Sequence, residues 1–166
     1  MTSEDYSMTR MNLFENEFAT KFAKRFASAS LLFESSALPK ATQELVNLRA
    51  SQLNGCGFCV DMHVKDAAAA GETAVRLALV AAWRESTVFT EAERAALALT
   101  EEATRMADSA GVSDETWSHV RKNFDDDQIA ALVCLVSMIN AANRMNVIVR
   151  NPGGSYEAGM FDELVK

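Results

Sequence analysis

Turn formers are scarce in this chain. Seven glycines and two prolines in 166 residues are too few for the many tight turns of an all-β protein. Excess positive charge is absent: 16 Lys and Arg stand against 23 Asp and Glu, a formal charge of −7. That balance argues against generic binding to nucleic acid, which depends on cations neutralising phosphates, and against docking on anionic lipid. No apolar run reaches the roughly 20 residues that span a bilayer. The longest, Ile129 to Ala142, is interrupted by Ser137 and Asn140. Met1 to Arg10 is polar and lacks the apolar segment of a secretory signal, so a cytoplasmic location is expected. Three cysteines in such a compartment are not a disulfide framework; they point to catalysis, metal binding or burial.

What remains is a chain with the composition of a folded protein, 49% hydrophobic and 23% charged, and of a length that predicts one domain. Its pattern is helical nearly throughout, with no strict alternation of β-branched residues. Leu13, Phe14, Phe18, Phe22 and Phe26 form one apolar face between Met11 and Ala29. Pro39 suits the first turn of a helix running to about Leu53 and stopping at Asn54-Gly55. The next opens near Cys56 and ends at Gly71, and a short one covers Thr73 to about Trp83. Thr90 and Glu93 read as a capping box for a helix to Asp108, and Ser113 caps another through Asn123. Asp125, Asp126 and Asp127 suit the start of the most apolar helix, expected to reach about Asn146. Asn151-Pro152-Gly153-Gly154 ends regular structure, and the tail is expected to be loose or used in assembly. The segments are thus an N-terminal helix within 1–32 for packing or oligomer contact, a core domain over 33–150 and a tail over 151–166.

The chemistry concentrates in Asn54-Gly55-Cys56-Gly57-Phe58-Cys59-Val60-Asp61-Met62-His63. On a helix, with Cys56 at zero, Cys59 falls at roughly −60° and His63 at roughly −20°, so all three share one narrow face. His63 is one turn from Cys59, and the cysteine pair opens the helix, where free amides and the dipole stabilise a thiolate. Glu44 lies at the edge of the core face of the preceding helix, where a carboxylate needs a partner. His63 or a bridging water would supply one. In the roles that follow, Glu44 orients His63 and raises its basicity, His63 takes the thiol proton of Cys59, Cys59 attacks an electrophile and Cys56 closes a disulfide.

Glu44, eleven residues, Cys56-x-x-Cys59, three residues and His63 together resemble the alkylhydroperoxidase D (AhpD) family of the carboxymuconolactone decarboxylase superfamily. The flanks agree: Leu45 to Cys56, Ala81-Ala82-Trp83-Arg84-Glu85 with Phe89 to Leu97, and Ile139 to Asn146, so that the likeness covers about residues 33 to 150. The resemblance implies an all-α fold of about six to seven helices, assembled as a homotrimer or homohexamer. It implies reduction of organic hydroperoxides by the cysteine pair, with no metal, haem or flavin cofactor. It also implies that Cys59 reacts first, that Cys56 resolves, and that Glu44 and His63 relay the proton. A dithiol such as a lipoylated protein would restore the pair. Position alone leaves the first attacker open, since Cys56 stands at the helix tip. Some family members carry a second His where this chain has Phe58.

Other readings stand beside these. Cys56, Cys59, His63 and Glu44 could supply zinc ligands, although no second cysteine pair exists. Glu44 could instead serve an interhelical salt bridge with Arg49 or Lys65. A redox-sensing or disulfide-exchange protein, or a non-peroxidase enzyme of the same superfamily, would also accommodate the fold; the decarboxylases generally lack the cysteine pair. Cys134 is expected to be a buried small hydrophobe, His119 a surface or capping residue, and the Phe14 to Phe26 row core or subunit interface. Trp83 and Arg84 are expected to pack near the site helix.

Overall fold

The computed structural model describes residues 9–161. Among them are seven α-helices and no strand. The helices are α1 (Glu17–Glu34), α2 (Lys40–Leu53), α3 (Gly57–Ala69), α4 (Ala74–Leu79), α5 (Glu91–Thr104), α6 (Asp114–Asn123) and α7 (Asp126–Val149). Short 3-10 turns cover Leu13–Glu15, Val80–Glu85 and Met106–Asp108.

Local chemistry sets most of the boundaries. Thr90 and Glu93 form the expected capping box of α5, and Asp125 with Gln128 forms a second at α7. Thr73 and Ser113 cap α4 and α6 through their side-chain oxygens. Four ends differ from expectation. α5 stops at Thr104 rather than Asp108, and a separate 3-10 turn covers Met106–Asp108. Pro39 sits just before α2 in an extended conformation. The short helix after Thr73 gives way at Val80 to a 3-10 turn, inside which the backbone of Ala82 leaves the helical region. α7 runs on to Val149, where Arg150 takes a left-handed conformation at φ 55°.

α2 is the hub, packed against α3, α5 and α7. Leu45, Leu48, Leu97 and Leu132 are fully buried there, each contributing about 1.5–3 kcal/mol relative to exposure. One cluster joins Val46, Leu99, Val120 and Leu132; another joins Leu45, Leu48, Trp83 and Leu97 with Ala67 of α3. Trp83 therefore packs beside the site helix, as its sequence context suggested. Its indole N–H donates to Glu101 at 2.9 Å, and Arg84 stacks on its ring at 4.2 Å.

α7 is long and apolar enough, by length and composition, to cross a bilayer, although its apolar run read as too short in sequence. Its inner face, including Leu132, Leu135, Val136 and Ile139, is packed in the core. Cys134 corrects the sequence expectation: it is exposed, on an outer face with Val133. The pattern misleads because α7 is apolar on both faces. α1 buries no residue at all, and Phe14, Phe18 and Phe22 are 52%, 78% and 46% exposed. These rings are not core of the single chain.

The C-terminal segment is not loose over its described length. Asp61 Oδ2 accepts from the backbone amides of Gly154 at 2.7 Å and Tyr156 at 3.1 Å, and Lys65 donates to the Tyr156 carbonyl at 2.7 Å. The Tyr156 hydroxyl reaches Asp66, and the ring is buried. Gly153 passes so close to Gly57 that a Cβ there would collide with the Gly57 carbonyl. The segment is a strap across the start of α3.

Candidate active site

Two helices and one tight turn build the site. α2 ends at Leu53 with Asn54 as its C-cap, and Gly55 reverses the chain at φ 65°, a conformation that glycine adopts without a Cβ penalty. Cys56 is then the N-cap of α3, its sulfur accepting from the Cys59 amide at 3.3 Å. The turn is clamped to α7 by asparagines. Asn54 donates to Asn140 at 3.0 Å and to Asn143 at 2.9 Å, and Asn143 donates to Ser51 at 3.0 Å. Asn143 is fully buried, so its satisfied amide fixes the register of α7 against the turn.

Cys56 and Cys59 are joined as a disulfide, with Cα atoms 5.4 Å apart, and both are buried. His63 follows one turn after Cys59. Its Nδ1 lies 3.3 Å from Glu44 Oε2, and both side chains are buried. The other carboxylate oxygen pairs with Lys40 at 3.0 Å. Burial pushes the Glu44 carboxyl up, but the His63 and Lys40 contacts outweigh it and hold Glu44 below the usual carboxylate range. Glu44 thus pairs with neither Arg49 nor Lys65: Arg49 binds Glu101 and Lys65 binds Asp61. His63 Nε2 is buried and has no hydrogen-bond partner. An orphaned imidazole nitrogen is costly unless it serves another state of the site.

All four residues singled out from sequence, Glu44, Cys56, Cys59 and His63, therefore occupy one locality. Among the described residues, no group of three or more His, Cys, Asp or Glu is arranged to hold a metal ion. His119 lies elsewhere, 3.4 Å from Glu91, an acidic partner that its local sequence did not reveal. Phe58, where some family members carry His, packs edge-on against Tyr156 and tilted against Phe161. It anchors the strap.

Asn146 is the residue that sequence reasoning missed. Its Nδ2 lies 3.6 Å from Cys59 Sγ. The signal available was the spacing of Asn140, Asn143 and Asn146, every third residue along one side of α7. Asn146 also lines a groove of about 800 Å³ between α1 and the end of α7, whose walls include Leu13, Phe14, Phe22, Met145 and Val149.

A buried cysteine pair at the tip of a helix and a buried His–Glu pair thus lie together inside an all-α bundle. The chain belongs to the carboxymuconolactone decarboxylase family, which matches residues 19–102. It is 39% identical to the uncharacterized protein YdfG of Bacillus subtilis strain 168 over 120 residues, covering 72% of this chain and 81% of that one. YnjA of Escherichia coli K12, also uncharacterized, is 31% identical over 111 residues, 67% of this chain and 60% of its own. A crystal structure from Agrobacterium tumefaciens, of a protein of unknown function with a suggested role as the antioxidant defence protein AhpD, superposes with a TM-score of 0.82. That match has 33% identity and covers 89% of this chain and 99% of that one. An uncharacterized peroxidase-related protein with an AhpD core from Ralstonia eutropha JMP134 shares the fold at 18% identity, with a TM-score of 0.68 over 87% of this chain and 73% of that one.

Proposed function

We propose that this protein is a thiol-dependent peroxidase that reduces organic hydroperoxides. The observation that carries this reading is the buried Glu44–His63 pair, in which His63 follows Cys59 by one helical turn and keeps an unpartnered Nε2. In the reduced protein that nitrogen takes the Cys59 thiol proton, and Glu44 stabilises the resulting imidazolium. The Cys59 thiolate attacks the distal oxygen of R–O–O–H. The O–O bond breaks, the alkoxide leaves and takes the proton held by His63, and Cys59 becomes a sulfenic acid. Cys56 attacks the Cys59 sulfur, water leaves and a disulfide forms. An external dithiol, such as dihydrolipoamide on a lipoylated protein, reduces it by two thiol–disulfide exchanges and is itself oxidised to a disulfide. The reaction needs no metal, haem or flavin.

The groove beside Asn146 supports an organic rather than an inorganic peroxide, because apolar walls favour an alkyl group. The exposed Phe face of α1 supports self-assembly as a homotrimer or homohexamer, since an 18-residue helix that buries nothing gains little from its own chain. The test is turnover of cumene hydroperoxide with dihydrolipoamide by wild type, Cys59→Ser and Cys56→Ser. Wild type should cycle; Cys59→Ser should be inert, and Cys56→Ser should consume about one equivalent and stop as sulfenic acid. Equal activity in all three would overturn the reading.

A further inference from the structure

The Asn146 carboxamide is satisfied in one orientation only. Its Oδ1 accepts from the Asn151 side chain at 2.9 Å. Nδ2 donates one hydrogen to the Ala142 carbonyl at 3.0 Å and the other to Cys59 Sγ at 3.6 Å. Flipping the amide would turn Oδ1 against the Ala142 carbonyl and lose all three contacts. Asn151 is itself held, its backbone N–H donating to the Asn146 carbonyl at 2.9 Å just past the left-handed Arg150. The donor is therefore aimed before any substrate arrives, and Asn146 itself lines the apolar groove.

We propose that Asn146 is a positioning residue that donates a hydrogen bond to the Cys59 thiolate of the reduced pair and directs first attack to Cys59 rather than Cys56. The two sulfurs are served by different donors. Cys56 Sγ accepts the Cys59 amide at the helix tip, which by itself would favour a thiolate on Cys56. Asn146 supplies the opposing bias, because a donor to sulfur strengthens when the sulfur becomes charged. The titratable groups of the site are Cys56 and His63 on α3, with Glu44 and Lys40 behind them on α2; α7 contributes this neutral amide. The proposal deepens the peroxidase reading and rests on it for its effect on rate, but its effect on thiol acidity holds for any chemistry at Cys59.

The test is the pH profile of iodoacetamide alkylation in the reduced full-length protein, resolved by mass spectrometry into Cys56 and Cys59. Asn146→Ala should raise the Cys59 midpoint by about one pH unit, and Asn146→Asp, which places a carboxylate there, by more. Asn151→Ala, which releases Asn146 without replacing it, should give a smaller rise. The Cys56 midpoint should stay in place. In parallel, hydroperoxide consumption by Asn146→Ala should fall about tenfold near neutral pH and recover as the pH rises past the new midpoint. Unchanged Cys59 midpoints in Asn146→Ala and Asn146→Asp would overturn the proposal even if wild type consumes peroxide. Raised midpoints in a protein that consumes none would uphold the role of Asn146 and remove the peroxidase reading.

Discussion

Glu44 Oε2 stands 3.3 Å from His63 Nδ1 across the α2–α3 interface, while the far nitrogen of the imidazole is buried with no hydrogen-bond partner. Glu44→Gln keeps the shape and removes the charge that stabilises the imidazolium. Hydroperoxide turnover should fall about 100-fold, the low end of what a positioned acid–base group contributes, as measured by initial rates. The same variant should change the response to acid. The Glu44 carboxyl is held below its ordinary value of 4.5, so its stabilisation of the fold is complete above that value and is lost as pH falls through the lower folded one. Urea unfolding at pH 6 and at pH 3 should show a larger loss in wild type than in Glu44→Gln. Equal losses would contradict the coupling.

Asp61 holds the C-terminal strap by accepting the Gly154 and Tyr156 amides. Its hydrogen bond with Lys65, the largest influence, and those two amides keep its carboxyl below the ordinary value of 3.8. Asp61→Ala should therefore release the strap. Amide hydrogen exchange over 154–161 should accelerate, while the amides of α5 keep their protection. Acid should do the same to wild type only below about pH 4, since the anchoring carboxylate persists down to its lowered folded value.

Glu101 ties three elements together. It accepts from Arg49 at 2.7 Å and Trp83 at 2.9 Å and also pairs with Arg84. Glu101→Ala leaves the part-buried Arg49 guanidinium without its carboxylate. The expected cost is about 3 kcal/mol, a fall in Tm of roughly 6–12 °C. A scanning calorimetry shift under about 2 °C would show that the cluster is a surface feature.

The α1 face gives the proposed assembly a direct test. Phe18→Asp with Phe22→Asp places charge on a face that is bare in the single chain. Light scattering should show the assembly falling to monomers while the helical circular dichroism persists. An unchanged mass would place the subunit contact elsewhere.

How much of this could be read from sequence depended on how local each interaction is. Cys56, Cys59 and His63 declare themselves because one helix carries all three at spacings that share a face. Glu44 was legible because it falls at the core edge of the helix before them, and its environment made a partner necessary. Asn146 was not, because its sulfur partner is 87 residues away, and the spacing it shares with Asn140 and Asn143 marks a polar side of α7 without naming what that side faces. The strap was hidden for the same reason: Gly154 and Tyr156 meet Asp61 across more than 90 residues. Cys134 was misplaced because periodicity assigns a buried face only when the opposite face is polar, and that of α7 is not.

Stopped-flow mixing of pre-reduced protein with one equivalent of cumene hydroperoxide, quenched for mass spectrometry, tests the central claim most directly. The account predicts rapid stoichiometric loss of peroxide, a Cys56–Cys59 disulfide as the protein product, and neither event in Cys59→Ser. Peroxide left intact, with both thiols still reduced, would contradict it.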